Sequence, residues 1–225
     1  MKAGAIPVIT IDGPSASGKG TVAQLIAQKL AFHYLDSGAL YRLVALNTIR
    51  SDIDAANESA MANIASSLNA NFNGSSIQLN GEDVSDAIRT EQCGNLASLI
   101  AGQPEVRKAL LQRQRAFRQP PGLVTDGRDM GSIVFPDALL KIFLTASAEE
   151  RARRRYKQLI EKGINANMQS ILQDIYERDT RDSNRDISPL IQEMGTKLLD
   201  TTCLTIEEAV NAVLRMYNEI CKNRA

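Results

Sequence analysis

A stretch near the start of the chain has the residue types and the spacing of a site for nucleotide phosphates. It reads Gly13-Pro14-Ser15-Ala16-Ser17-Gly18-Lys19-Gly20-Thr21, which contains the pattern G-x-x-x-x-G-K. In such a P-loop, backbone N–H groups and the positive end of a helix dipole bind phosphate oxygens, and the lysine adds a full charge. The hydroxyl of Thr21 is a candidate ligand for the Mg²⁺ that accompanies a nucleoside triphosphate. The stretch predicts that residues 13–21 bind the phosphates of a nucleoside triphosphate.

The segments on either side of this stretch support the prediction. Residues 7–12 form an apolar run rich in β-branched side chains, which is typical of a strand, and Val22, Leu25, Ile26 and Leu30 recur at helical spacing. The alternative is an ordinary glycine- and serine-rich connection between a strand and a helix. A strand before the motif and a helix after it favour the phosphate site.

Further short apolar runs alternate with amphipathic segments along the chain. The runs predict strands at residues 32–35, 123–125, 139–144 and 197–200, and the amphipathic segments predict helices at about 39–49, 60–68, 90–101, 105–118, 148–163, 167–184 and 205–220. Capping boxes are predicted at Ser147 with Glu150 and at Thr205 with Glu208. This alternation indicates an α/β fold with a parallel sheet, whose ligands bind at the carboxyl ends of its strands.

Residues 69–84 have a different pattern, with two Asn-Gly pairs between short alternating runs. The pairs are Asn73-Gly74 and Asn80-Gly81, and both residue types tolerate the positive φ angles of a tight hairpin turn. The segment predicts a three-stranded antiparallel sheet that is too small to be stable alone, and therefore an insert on the main domain.

The composition excludes several classes of protein. Among 225 residues, 26 basic side chains balance 26 acidic ones, which argues against a general nucleic-acid or membrane-surface binder. The three cysteines are far apart and lack metal-site spacing, so neither disulfides nor a zinc site is indicated. The N-terminus does not have the pattern of a signal peptide and no run has membrane-spanning length. We expect a cytoplasmic protein.

Arginines near the predicted site are candidates for binding phosphate groups, because the guanidinium fork pairs with two phosphate oxygens at once. One group, predicted to share a helix face at i, i+3, i+4 and i+7, is Arg178, Arg181, Asp182 and Arg185. The alternative is a solvated charged face. A second group comprises Arg151, Arg154 and Arg155, with Arg153 pointing elsewhere, and it fits a mobile lid over the triphosphate as well as a set of partners for the glutamates upstream. Arg42 and Arg128 follow predicted strands, and His33 is expected to be a packed core residue.

Four blocks of sequence together resemble the bacterial cytidylate kinases, the CMP and dCMP kinases of the nucleoside monophosphate kinase group. The blocks are residues 9–15, residues 35–42, residues 126–131 and residues 177–185. The resemblance covers essentially the whole chain. It implies a single P-loop kinase domain over residues 1–225 with a five-stranded parallel sheet flanked by helices. It also implies a monophosphate-binding insert at about 60–100 and a short lid at about 152–168.

The resemblance also implies roles for individual residues in transfer of the ATP γ-phosphoryl group to CMP or dCMP, in pyrimidine nucleotide metabolism. Residues 13–21 and Arg154 would bind ATP, and Mg²⁺ would be the cofactor. The residues implied to bind the monophosphate are Ser15, Ser37, Tyr41, Arg42, Ser98, Arg107, Arg128, Asp129, Arg178, Asp182 and Arg185. Within this set Ser98, Arg107 and Asp129 would read the cytosine, and Asp182 the ribose. Lys19, Arg128, Arg178 and Arg185 would carry the catalysis. A monomer is expected, with no nucleic-acid or membrane partner.

Two other functions remain open from the residues alone. A kinase for another small acceptor, such as a different monophosphate or a hydroxyl acid, would need a general base for a hydroxyl, with Asp126 or Asp129 as the candidate. A phosphate acceptor needs none, since its oxygen is already anionic. A nucleotide-sensing module without turnover would bind ATP and lack a second substrate. GTPases read guanine with Asn-Lys-x-Asp, which does not occur in this sequence.

Overall fold

The computed structural model describes residues 6–73 and 76–223, which separate into two compact units. The first unit contains the described residues of Met1–Leu35 and Phe117–Ala225, and the second is Asp36–Ala116. The strands are β1 (Val8–Asp12), β2 (His33–Asp36), β3 (Ala70–Asn73), β4 (Ser76–Leu79), β5 (Glu82–Asp83), β6 (Leu123–Gly127), β7 (Leu140–Thr145) and β8 (Lys197–Asp200). The helices are α1 (Lys19–Leu30), α2 (Ser37–Arg50), α3 (Glu58–Ser66), α4 (Glu91–Ile100), α5 (Pro104–Ala116), α6 (Ala148–Glu161), α7 (Met168–Ser183) and α8 (Ile206–Lys222).

The predicted five-stranded parallel sheet is confirmed, and it has the strand order β2-β6-β1-β7-β8. Strand β1 lies between β6 and β7, and Asp12 is paired in register with Gly127. Every residue of β1 and β6 is buried, as expected for central strands covered by helices on both faces. The loops that follow β1 and β6 therefore begin side by side at the carboxyl edge of the sheet.

The core of the first unit forms where helices α1 and α8 cover the sheet. Ile9 and Ile11 of β1 pack in one cluster with Ile26 of α1 and with Val210 and Val213 of α8. Fully burying an aliphatic side chain of this size stabilises a fold by about 1.5–3 kcal/mol. This cluster therefore gives the loops at the sheet edge a rigid base.

The second unit combines helices α2 to α5 with the predicted small sheet, which has the order β3-β4-β5 and antiparallel pairing. The turn between β4 and β5 is confirmed, since Asn80 and Gly81 have φ angles of 53° and 86°. In the turn predicted at Asn73-Gly74, Gly74 lies outside the described residues.

Helix starts show one correction. At Thr205 both halves of the predicted capping box form. At Ser147 only one half forms, because Glu150 Oε1 and Oε2 accept hydrogen bonds from Arg154 and Arg153, and the Ser147 N–H donates to Thr202 Oγ1 instead. Within residues 6–73 and 76–223, no helix combines the length and the apolar character needed to cross a bilayer.

Candidate active site

Two glycines shape the loop between β1 and α1, residues 13–18, which we call the phosphate loop. A Cβ atom on Gly13 would lie 2.0 Å from the carbonyl oxygen of Leu144 in β7, so only glycine fits there. Gly18 has a φ of 91° at the N-cap of α1, in the left-handed region that disfavours other residues. The loop can therefore turn tightly against the sheet and enter α1 with its first N–H groups exposed to a ligand.

Polar side chains of this loop are buried in a way that suits an anion. Lys19 is 9% exposed, and its Nζ donates to the carbonyl oxygen of Pro14 at 3.1 Å. The hydroxyl oxygens of Ser15 and Ser17 are buried without a hydrogen-bond partner among the residues that the structure describes. A buried hydroxyl without a hydrogen-bond partner destabilises a folded protein, and phosphate oxygens are acceptors for the hydrogen bonds that these hydroxyls could donate. The loop thus has polar groups that suit phosphate oxygens, and its binding of ATP stays a prediction.

The carboxylate of Asp126 lies beside the start of α1. It belongs to β6, it is buried, and its Oδ1 accepts a hydrogen bond from the Tyr34 hydroxyl at 2.8 Å. A Cβ on Gly20 would be 3.7 Å from Asp126 Oδ2, so glycine at this position leaves space next to the carboxylate. In the described part of the chain no group of three or more potential metal ligands occurs. One buried carboxylate near a phosphate cradle nevertheless fits Mg²⁺, which binds through one or two carboxylates, water and substrate phosphates.

The loop after β6 is held by Asp12, the last residue of β1. Its two carboxylate oxygens accept from the N–H groups of Met130 and Gly131 at 2.9 and 2.8 Å. Burial raises the pKa of Asp12 from 3.8 to about 6, although these hydrogen bonds oppose the change. Asp12 therefore fixes the backbone that directly follows Arg128 and Asp129.

A buried ion-pair cluster joins this loop to the end of α7. Asp182 Oδ2 accepts from Arg128 Nε at 2.7 Å, and its Oδ1 accepts from Arg185. Burial alone would raise the pKa of Asp182, but Arg128 and Arg185, with a smaller contribution from the charge of Arg178, outweigh it and lower the pKa to about 2. The carboxylate is therefore ionised and acts as an acceptor for both guanidinium groups.

One part of the predicted arginine face is wrong. Helix α7 ends at Ser183, with Asn184 as its C-cap, so Arg185 lies beyond the helix that carries Arg178 and Arg181. Arg185 still reaches the cluster because the chain turns at the helix end and brings its side chain to Asp182. The predicted association of Arg185 with Asp182 is thus present, with a different backbone geometry.

The arginines at the start of α6 contact the phosphate loop. Arg154 donates to the carbonyl oxygens of Ser17 at 2.9 Å and Thr201 at 2.6 Å. Arg151 is buried and donates to the carbonyl oxygen of Ser15 at 3.3 Å. Arg153 points away, as predicted, with its side chain 72% exposed. Two of these arginines therefore support the loop through its backbone.

In the second unit, Ser37 and Arg42 are held by residues that the sequence did not single out. Gln114 is buried, and its Nε2 donates to Ser37 Oγ at 3.0 Å. Arg42 donates to the carbonyl oxygen of Ile88 at 2.6 Å, and a Cβ on Gly94 would lie 3.0 Å from its guanidinium group. Gly94 thus leaves room for the arginine.

The other residues assigned to the monophosphate are mostly buried. Ser98 lies on α4, and Arg107 of α5 donates to the carbonyl oxygen of Ala101 just beyond α4 at 3.0 Å. Tyr41 in α2 and Asp129 after β6 are both buried. No distance distinguishes these residues as a base-reading set, so their roles stay predictions.

The prediction for His33 is wrong. The residue is exposed on β2 at the edge of the sheet, and its Nε2 is 2.9 Å from the carbonyl oxygen of Pro120. An apolar run indicates a strand, but it does not indicate whether the strand is central or at an edge.

Comparison with known proteins identifies relatives that match most of the chain. A family model described as cytidylate kinase matches residues 9–219. A cytidylate kinase of Nitrosomonas europaea is 59% identical over 96% of this chain and 97% of its own length. One of Chromobacterium violaceum is 60% identical over 95% of this chain and 96% of its own. Among solved structures, an uncharacterized protein from Eubacterium ventriosum has a TM-score of 0.55 at 9% identity, covering 95% of this chain and 98% of its own, which supports the fold alone.

Proposed function

The chain belongs to the cytidylate kinase family, and from this premise we propose that it transfers the γ-phosphoryl group of ATP to CMP or dCMP. The products are ADP and CDP or dCDP, in pyrimidine nucleotide metabolism. The observation that supports this function most strongly is the loop after β1, where the hydroxyls of Ser15 and Ser17 are buried without a hydrogen-bond partner in the described part of the chain. Arg128 of the arginine cluster around Asp182 directly follows β6, the strand that pairs with β1. A phosphate loop and an arginine cluster after neighbouring strands suit a reaction between two phosphorylated compounds.

Residues 13–21 would bind the phosphates of ATP. The N–H groups at the start of α1 and Lys19 oppose their negative charge. When bound, Mg²⁺ would add further positive charge at the β- and γ-phosphates. Asp126 is proposed to hold it, because its carboxylate oxygens would lie only 3.7 and 3.8 Å from a Cβ atom on Gly20, at the start of α1. Thr21 remains the predicted hydroxyl ligand.

Arginines would bind and align the monophosphate. Arg128 and Arg185 are fixed by Asp182, so their guanidinium groups need little reorganisation when a phosphate binds. Arg178 is assigned to the same group by the family resemblance. The further assignments are Ser15, Ser37, Tyr41, Arg42, Ser98, Arg107 and Asp129, and they are part of this proposal. The CMP oxygen that accepts the phosphoryl group is already anionic, so no general base is needed. Asp182 accepts hydrogen bonds from Arg128 and Arg185 and is further proposed to bind the ribose.

The proposal extends to the organisation of the protein. Residues 1–225 are proposed to act as one kinase domain, with the monophosphate insert at about 60–100 and the lid at about 152–168. Arg154 is proposed to bind ATP, in keeping with its hydrogen bond to the Ser17 carbonyl oxygen in the phosphate loop. We further propose a cytoplasmic monomer that binds neither nucleic acid nor membranes, in line with a family that acts on nucleotides.

An ADP-release assay with Mg²⁺ and a panel of acceptors tests the proposed reaction. CMP and dCMP should be phosphorylated well, and UMP, AMP and shikimate poorly. Turnover with shikimate alone would replace the proposal by a hydroxyl kinase, and ATP binding without turnover of any acceptor would replace it by a sensing module.

Two variants test the assigned catalytic charges. Lys19→Ala and Arg185→Ala should each lower kcat about 10²–10³-fold while remaining folded, as for the loss of one preorganised electrostatic group. Arg215→Ala on α8 is the matched control, because that residue is exposed. Near-normal turnover in either folded variant would contradict its catalytic role.

A further inference from the structure

Arg151 lies where three segments of the first unit meet. Its Nε donates to the carbonyl oxygen of Ala146 at 3.0 Å, and its Nη1 donates to that of Ser15 in the phosphate loop at 3.3 Å. Both terminal nitrogens also donate to Asp179 of α7, at 3.0 Å to Oδ1 and 2.6 Å to Oδ2. The guanidinium group is therefore bound on one side by a helix and on the other by the loop.

These contacts fix the Arg151 side chain, whereas an arginine of a mobile lid would have to move to bind its ligand. Its side chain is 6% exposed, and a buried charge is stable only while it is paired and hydrogen-bonded. The bidentate pairing with a carboxylate also fixes the direction of the group. Four of the five N–H donors of Arg151 are already used, so binding a triphosphate with more than one hydrogen bond would break contacts to Asp179 or to the carbonyl oxygens.

Apolar packing reinforces the same junction. Ala152 of α6 forms a buried cluster with Ile171 and Ile175 of α7, and Ala16 of the phosphate loop packs against that cluster. The loop therefore contacts α6 and α7 through the Ala16 side chain and through the Ser15 carbonyl oxygen, in addition to the hydrogen bond from Arg154 to the Ser17 carbonyl oxygen.

Asp179 has a particular position on α7. It directly follows Arg178 and lies one turn before Asp182, the carboxylate that binds Arg128 and Arg185. A helix is stiff over one turn, so a contact that holds Asp179 also holds the position of Asp182. The Arg151–Asp179 pair thereby joins the loop proposed for ATP to the cluster proposed for the monophosphate.

We infer that Arg151 and Asp179 are a positioning pair for phosphoryl transfer, which sets the phosphate loop and the Asp182 arginine cluster at a fixed separation without touching either nucleotide. The inference rests on the proposed function. A displacement of about 1 Å between reacting groups can cost about 10²-fold in rate. Loss of the pair should therefore lower kcat more than it weakens nucleotide binding.

Kinetics of Arg151→Gln, Asp179→Asn and the double variant test the inference. Each single variant should lower kcat with CMP about 10²-fold, and the double variant should lose no more than one single variant, because both changes remove the same interaction. ATP affinity, measured by equilibrium titration without CMP, should fall less than kcat. Arg153→Gln is the matched control, since Arg153 lies on the same helix and is exposed.

Other outcomes would overturn the inference that Arg151 and Asp179 act as a positioning pair. If Arg151 binds ATP directly, Arg151→Gln weakens ATP binding and Asp179→Asn does not. Additive losses in kcat, or unchanged kcat in both folded single variants, would also exclude a shared role. If the single variants fail to fold, Arg151→Lys keeps the charge without the fork, and equal kcat in Arg151→Lys and Arg153→Lys refutes the inference. Absence of CMP turnover in the wild type would instead refute the proposed function, and the pair is then tested with whichever acceptor of the panel is phosphorylated.

Discussion

Replacing Asp12 with asparagine should make the protein progressively more stable relative to the wild type as the pH rises towards neutrality, and less active. The Asp12 carboxylate is buried, and its two oxygens accept from the N–H groups of Met130 and Gly131. Burial raises its pKa from 3.8 to about 6, and the nearby charge of Asp129 acts in the same direction. The folded protein therefore favours the neutral form of this group more than the unfolded chain does.

The sign and the size of the effect follow from this pKa. Between pH 3.8 and 6 the folded state binds more protons at Asp12 than the unfolded state, so the free energy of unfolding falls as the pH rises. The whole pKa difference corresponds to a loss of about 3 kcal/mol in the free energy of unfolding, and about half of this loss occurs above pH 5. The asparagine variant lacks this dependence, so its stability relative to the wild type should increase by about 3 kcal/mol from pH 3 to pH 7.

The same variant should lose activity. Met130 and Gly131 donate to different oxygens of Asp12, so an asparagine in the same place presents its oxygen to one of these N–H groups and its NH₂ group, which is a donor, to the other. The backbone that follows Arg128 would then be held by one hydrogen bond, and misplacement of that arginine can lower kcat about 10²-fold. The carboxylate at Asp12 therefore improves the positioning of the loop at a cost in stability.

Urea unfolding of the wild type and of Asp12→Asn at several pH values between 4 and 7.5 measures the effect. Asp137→Asn, measured over a range extended to about pH 2.5, is a control of opposite sign. Hydrogen bonding to Arg118 lowers the pKa of Asp137 from 3.8, so the wild type should lose its advantage over that variant as the pH falls below that value. A stability difference between Asp12→Asn and the wild type that is constant or reversed over this range would refute the reasoning.

Three further predictions concern the sheet edge and the loops around it. Asp182→Asn leaves Arg128 and Arg185 buried beside a neutral group, and it should lower stability in urea unfolding at pH 7 by about 3–5 kcal/mol; a loss below 1 kcal/mol would mean that the pairs contribute little. Gly18→Ala forces alanine to a φ of 91°, which should cost about 1–3 kcal/mol and weaken ATP binding, so an unchanged melting temperature would contradict the strain. His33→Ala should change stability by no more than about 0.5 kcal/mol and leave kcat unaltered, and a large loss of turnover would contradict its assignment as an edge residue without a catalytic role.

Much of the fold could be predicted because its signals are local. The loop at residues 13–21 is recognisable from spacing, and the turn at Asn80-Gly81 from the two residue types that tolerate positive φ. The signals for helix starts are also local, although at Ser147 competing hydrogen-bond partners prevent the second half of the predicted capping box from forming. Glu150 accepts hydrogen bonds from two arginines on its own helix, and sequence spacing does not reveal which partner prevails.

What the sequence could not supply depends on contacts between distant segments. Gln114 and Ser37 are 77 residues apart, and nothing near either residue signals their hydrogen bond. His33 was expected in the core because its run is apolar, but the order of strands places it at an edge. Arg185 was expected on α7 because its spacing continues the helical period, yet the helix ends before it.

The cluster around Asp182 separates two explanations for how the site would bind phosphate. If net positive charge were decisive, a carboxylate there would be harmful, because it repels the ligand and offsets one of two arginines. If prearranged geometry is decisive, Asp182 helps, because it fixes Arg128 and Arg185 before the phosphate arrives. Asp182→Asn raises the positive charge of the cluster and removes its anchor in one step. Inorganic phosphate is the probe, because CMP would also report the loss of the ribose contact assigned to Asp182. A stably folded Asp182→Asn protein that binds phosphate more weakly than the wild type favours geometry, and tighter binding favours charge.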